Sequence, residues 1–169
     1  NFIAKDVIDQ ITISEQLSPL FKADINLKNS FQTNIEIRKE RTLSLSFANS
    51  QVTEVNRTSY VLGAGYRFKD VEINVRMGGE NTRKFKSDIL LKADMSVNIN
   101  RTILRKIDQN VNLVSSGSKV FTLNLSGEYS LTEQIILKAY FEMTSNTPYV
   151  SNSYPNSTTQ GGFSVRLTL

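Results

Sequence analysis

The chain has 169 residues, with 20 basic against 16 acidic, a net charge of +4, and no cysteine or histidine. That composition excludes disulfide frameworks, thiolate nucleophiles, imidazole bases and zinc sites built from cysteine or histidine. Its densest basic cluster, Arg83, Lys84 and Lys86, forms neither a basic face nor a known nucleic-acid motif, so no nucleic-acid partner is expected.

Residues 1–16 read as a linker or partial strand, with Val7, Ile11 and Ile13 their only apolar alternation. The first clear strand, 17–28, sets Phe21, Ala23, Ile25 and Leu27 against Lys22, Asp24, Asn26 and Lys28. Period two puts each set on its own face and excludes an amphipathic helix. After a short turn at Asn29 and Ser30, strand 31–48 carries Phe31, Ile35, Ile37, Leu43, Leu45 and Phe47 on one parity and Glu36 and Arg38 on the other. Lys39 and Arg41 intrude on its apolar parity. A basic residue facing lipid near the midplane costs about 2–4 kcal/mol, so a bulge or a covering partner is expected there.

A long connection, 49–56, leads to strand 57–68, where Tyr60, Leu62, Ala64, Tyr66 and Phe68 alternate with polar residues including Arg67. A short turn at Lys69 and Asp70 and a strand at 71–77 follow, then a long connection at 78–86. Strand 86–98 opposes Ile89, Leu91, Ala93, Met95 and Val97 to Lys92, Asp94, Ser96 and Asn98. A short turn at Ile99 and Asn100 and a poorly alternating strand at 101–108 come next, then a long connection at 109–118. Strand 119–131 opposes Phe121, Leu123, Leu125, Tyr129 and Leu131 to Asn124, Ser126 and Glu128. Past a short turn at Thr132 and Glu133, strand 134–144 opposes Ile135, Leu137, Ala139, Phe141 and Met143 to Lys138, Tyr140 and Glu142. A long connection, 145–160, precedes the closing strand 161–169, with Phe163, Val165, Leu167 and Leu169 against Ser164, Arg166 and Thr168.

These segments predict an all-β, antiparallel, up-and-down transmembrane barrel segment of about nine strands filling 17–169. Mean hydropathy is only −0.27, but lipid-facing and lumen-facing residues alternate in such strands and cancel in any average. Short connections alternate with long ones, as periplasmic turns alternate with extracellular loops in outer-membrane barrels. Segments near the ~9–11 residues of a tilted membrane strand exceed the ~5–6 usual in soluble sheets. Phe31, Phe68 and Tyr129 lie on the apolar parity near short turns, where an aromatic girdle would fall. An odd strand count leaves open edges that lipid does not tolerate, so the chain is expected to be the C-terminal part of a larger barrel in the bacterial outer membrane.

The facing that follows puts Phe21, Ile25, Leu27, Ile35, Leu45, Leu62, Ile89, Leu91, Leu123, Leu125, Leu137, Phe141, Val165 and Leu167 against the lipid bilayer. It puts Lys22, Asp24, Glu36, Arg38, Arg67, Lys92, Asp94, Asn124, Glu128, Lys138, Glu142 and Arg166 toward the lumen. The carboxylates all lie on polar parity among basic residues and read as a solvated wall. No catalytic, cofactor or metal site is expected. Gly63-Ala64-Gly65 lacks the third glycine and the following helix of a dinucleotide fingerprint, and Gly117-Ser118-Lys119 lacks the upstream glycine and residue order of a P-loop.

Several segments resemble the C-terminal region of the SprA/Sov family, the giant outer-membrane barrels of type IX secretion. They include residues 10–20 (QITISEQLSPL), 41–47 (RTLSLSF), 51–55 (QVTEV), 63–71 (GAGYRFKDV) and 86–94 (KSDILLKAD). Residues 146–151 (NTPYVS), 153–155 (SYP) and 163–169 (FSVRLTL) extend the likeness in order to the end of the chain. The resemblance implies a wall segment of the channel that exports folded cargo proteins, linked to gliding motility in gliding bacteria. It also implies partners: the remaining strands of the same barrel, a PorV-like barrel shuttle, a periplasmic plug protein and the cargo itself. A small self-contained porin or adhesin-type barrel is the competing expectation. An enzyme built on a barrel is disfavoured by the missing histidine, and a soluble β-sandwich by the strand lengths.

Overall fold

Alternation of apolar and polar residues becomes one meandering sheet. The structure, a computed structural model, describes residues 8–28, 30–76, 82–131, 134–151 and 153–167, the side chains at 73, 75, 76, 82, 83 and 85 lying outside that description. Its strands are β1 (Gln10–Asn26), β2 (Phe31–Ser46), β3 (Gln51–Arg76), β4 (Thr82–Lys106), β5 (Val111–Ser130), β6 (Ile135–Pro148) and β7 (Asn156–Leu167). Each pairs antiparallel with the next in the order β1-β2-β3-β4-β5-β6-β7, and β1 and β7 each pair with one neighbour only. Among the described residues the sheet is therefore unclosed.

Among the described residues seven strands replace the nine expected, for two physical reasons. At Lys69 and Asp70 the chain does not reverse. Phe68 pairs with Ile89 and Val71 with Ser87, so β3 spends three residues where β4 spends two, which is a bulge. Asp70 adopts a φ of 58°, a region an aspartate tolerates, and its N–H donates to Asp88 Oδ1 at 3.2 Å. A one-residue bulge swaps parity, and that swap resembles the start of a new strand. At Ile99 and Asn100 there is no irregularity: they pair with Thr58 and Arg57 in unbroken register. The apolar alternation lapses there because the strand leaves its apolar zone.

The long connections expected at 49–56 and 109–118 contract to reversals at 47–50 and 107–110, with Ser50 and Asn110 at φ of 48° and 49°. The Ser/Gly-rich stretch 115–118 is strand, not loop. A register shift between Thr102 and Ile103 absorbs one extra residue of β5, and Gly117 has a φ of 150° where a Cβ would overlap the Asn100 carbonyl. Between β6 and β7 the connection is 149–155. Of the long connection expected at 78–86, Thr82–Lys86 belong to β4 and 78–81 lie outside the described residues, as do Met77, Asn29, the turn expected at Thr132 and Glu133, Thr168 and Leu169. Because β3 and β4 are single strands, Arg76 and Thr82 lie at the sheet end of Asn26 and Phe31, not at the end of 47–50 and 107–110. The expected short–long alternation is not what the described strands form. Residues 10–16, read as a linker or partial strand, are the start of β1: Ile11 and Ile13 pair with Leu45 and Leu43.

Candidate functional surfaces

The register stacks the alternation of all strands into rows that run across the sheet. On one face Ala23, Ile35, Leu62, Met95, Leu123 and Met143 are successive partners, and beside them run Thr33, Ala64, Ala93, Leu125 and Phe141. On the other face Asp24, Asn34, Gly63, Asp94, Asn124, Glu142 and Gln160 form a continuous polar row. Lys22 and Glu36 lie in the next polar row, Lys92 and Ser126 in another, and Glu128 opposite Lys138 in a third. Arg38, Arg67 and Arg166 fall on the same parity through Ser59, Leu90 and Ile136. All residues expected to face the lumen therefore share one face, and all those expected to face lipid share the other.

The polar face is tied by ion pairs: Lys22–Asp24 at 3.3 Å, Arg38–Glu36 at 2.7 Å, Arg67–Asp88 at 3.6 Å and Lys138–Glu128 at 3.2 Å. Gln160 Nε2 donates to Glu142 Oε2 at 2.6 Å. Gly63 lets this network close, because a Cβ there would overlap Asn34 Oδ1 and lie 2.7 Å from Asp94 Oδ1.

The apolar face has two aromatic rows. Phe68 and Tyr129 flank Ile89 in one, and Phe31 and Tyr66 lie in the row beside it. Tyr66 and Phe68 meet edge-on, centroids 4.5 Å apart, and Tyr129 donates its hydroxyl to the Val71 carbonyl at 3.3 Å. Phe21, Tyr60 and Phe121 form the second row, with Ile37 and Val97 between them. Between the rows, Ala64, Ala93, Gly127 and Ala139 floor a groove of about 550 Å³ walled by Tyr66, Leu91, Leu125 and Phe141. Nothing among the described residues covers this face. Among the described residues Tyr129 is the one buried hydrophobic side chain, while Leu62, Leu91, Leu125, Phe141 and Val165 are all exposed.

Beyond the second aromatic row the same face turns ionic, and the two cations that interrupted the alternation find their setting there. Glu54 is 5 % exposed. It accepts from Arg41 Nε at 2.9 Å and Asn56 Nδ2 at 3.1 Å on one oxygen. Its other oxygen accepts from Arg105 Nε at 3.0 Å and from an Arg105 terminal nitrogen. Burial pushes the Glu54 carboxyl up, and the hydrogen bonds from Arg105, Asn56 and Arg41 outweigh it, holding the group down at about 2. Arg41 also reaches Glu15 at 3.7 Å. Leu45, expected to face lipid, shares this face but pairs with Ile11 and Val52, in the row of Arg105 and outside the apolar band. Sequence reasoning missed Glu54 because it lies in 49–56, taken for a loop; its parity with Val52 was the available signal.

Compared with known proteins, the chain matches no family model and no curated protein.

Proposed function

We propose that this sheet is a wall segment of an outer-membrane β-barrel, completed at its β1 and β7 edges by further strands, and that the barrel is a protein-conducting channel. The carrying observation is the pair of aromatic rows bounding an uncovered apolar band. From Tyr60 to Phe68, eight residues of β3, the strand advances about 26 Å at ~3.3 Å per residue. At a tilt of ~40° that is about 20 Å along the membrane normal, comparable with the ~25 Å lipid band of such barrels and its flanking aromatic girdles. A soluble sheet buries its apolar face against a second layer; this one has none among the described residues, and lipid supplies the cover.

In this reading the mechanism is geometric. Backbone groups pair across strands, so none is left unsatisfied in hydrocarbon. The polar face lines water, and its ion pairs, of both signs, leave a wall without strong bias toward one sign of cargo charge. The open edges require strands from beyond this chain. The likeness to the SprA/Sov family supports the finer assignment: export of folded cargo in type IX secretion, with a PorV-like shuttle barrel and a periplasmic plug as partners. No residue performs covalent chemistry in this account.

The test is made in native outer membranes. The polypeptide carrying this sequence is expected in the outer-membrane fraction with a mass far above 19.0 kDa, and deleting β1–β7 is expected to stop release of folded cargo. A complete polypeptide of about that mass, or undiminished cargo release, would contradict the channel assignment. In the first case a small self-contained barrel takes its place.

A further inference from the structure

Glu54 pairs with Arg41 and Arg105, and Glu15 with Arg41, but at this end of the same face three cations of the described residues are left over. Lys39, Arg101 and Lys119 are exposed, and among the described residues none of them has an ion-pair partner. Lys39 and Lys119 lie in one row, Lys39 opposite Thr58, Thr58 opposite Ile99, and Ile99 opposite Lys119. Arg101 lies one row further out, opposite Asn56 and Gly117.

Their height is telling. The Lys39 and Lys119 row is two residues beyond Ile37, Tyr60 and Phe121, about 5 Å further along the normal, and Arg101 is about 10 Å further. The headgroup layer occupies roughly 5–7 Å on each side of the hydrocarbon. Long basic side chains that start at this level lay their methylenes on the apolar surface and put their charge among headgroups. A cation on the outer face at this depth meets phosphate oxygens, and Arg101 meets them in a fork geometry suited to two hydrogen bonds.

We propose that Lys39, Arg101 and Lys119 form an outward-facing site for the phosphate of membrane lipid headgroups, in the leaflet at the sheet end of the 47–50 and 107–110 turns. The inference rests on the membrane-wall reading above. Charge complementarity and continuity with the apolar band identify the occupant as an anionic lipid: one molecule lays its chains on the band and its phosphate on the cations.

The whole native protein, reconstituted in phosphatidylcholine vesicles holding a minority of spin-labelled phosphatidylglycerol, tests this. The wild type is expected to select phosphatidylglycerol over labelled phosphatidylcholine. Lys39→Gln, Arg101→Gln and Lys119→Gln together are expected to bring the ratio close to one, each cation contributing up to about fivefold. Arg57→Gln, on the opposite face, is expected to leave it unchanged. Added inorganic phosphate at constant ionic strength should not displace the lipid; displacement would assign the site to a free anion and overturn the proposal. Unaltered selectivity in the triple variant, with normal insertion, overturns the proposal alone. Failure of the wild type to enter vesicles of any composition overturns it together with the membrane-wall reading.

Discussion

Arg41 donates from β2 to Glu54 on β3 at 2.9 Å, at a place where apolar alternation alone would put a leucine or valine beside Leu43. The pair marks where the apolar face ends. An arginine that looks misplaced on a lipid-facing parity is instead part of a cluster about 10–20 Å beyond the last aromatic row.

Removing the acid should expose that dependence. Glu54→Leu leaves Arg41 and Arg105 without their shared partner. Breaking a buried pair costs about 3–5 kcal/mol, but both arginines are partly exposed, with side chains 37 % and 44 % accessible, so solvent screening brings the expected loss to about 1–2 kcal/mol. Urea unfolding in detergent micelles measures it. Arg105→Met in the Glu54→Leu background should cost less than Arg105→Met alone, and equal costs would deny the coupling.

The facing of the sheet predicts a graded response to one substitution. Leu125→Lys, in the middle of the band, should lower barrel stability by about 2–4 kcal/mol, whereas Thr122→Lys on the polar face should stay within about 0.5 kcal/mol. Leu45→Lys, on the apolar parity but in the outer row of the ionic cluster, should resemble Thr122→Lys. Heat-modifiable migration of folded and unfolded forms on gels reads all three, and a Leu45→Lys as damaging as Leu125→Lys would move the band edge outward.

Gly63 should resist any side chain. Gly63→Ala forces Asn34 from its place, since the new Cβ would overlap Asn34 Oδ1, at a cost of about 1–3 kcal/mol. Asn34→Ala in the same chain should recover part of it. A neutral Gly63→Ala in thermal unfolding would mean that the polar network closes without this approach.

Tyr129→Phe should loosen the β3–β4 ribbon where it leaves its neighbours. The lost hydroxyl bond to the Val71 carbonyl is worth about 0.5–1.5 kcal/mol. Faster amide hydrogen exchange confined to 69–76 is the expected signature, and unchanged exchange there would show that the bulge at Asp70 holds without Tyr129.

The two faces were legible because period two runs through the apolar part of each strand, lapsing only toward the strand ends such as 99–106. Strand ends were less legible. Lys69 and Asp70 have turn chemistry that here produces a bulge, and Asp70 at positive φ serves either outcome equally well. Residues 51–56 and 111–118 have loop composition, yet they lie in strands, since Glu54 takes its partners from β2 and β4 and the extra residue of β5 is absorbed next to Gly117. Lys39 and Arg41 were visible as misfits. Their setting was not, because it depends on register between strands that are distant in sequence.

A membrane wall requires one face of this sheet to meet lipid and the other water. The chain has no cysteine, so single thiols can be placed in turn at Leu62 and Val61, Met95 and Ser96, and Leu123 and Asn124, and probed in membranes with a water-soluble maleimide and a lipid-confined quencher. Leu62→Cys, Met95→Cys and Leu123→Cys are expected to resist the maleimide and, once labelled in detergent, to be quenched from lipid, while Val61→Cys, Ser96→Cys and Asn124→Cys are expected to react from water. Water labelling of both members of each pair, with no quenching from lipid, would contradict this facing.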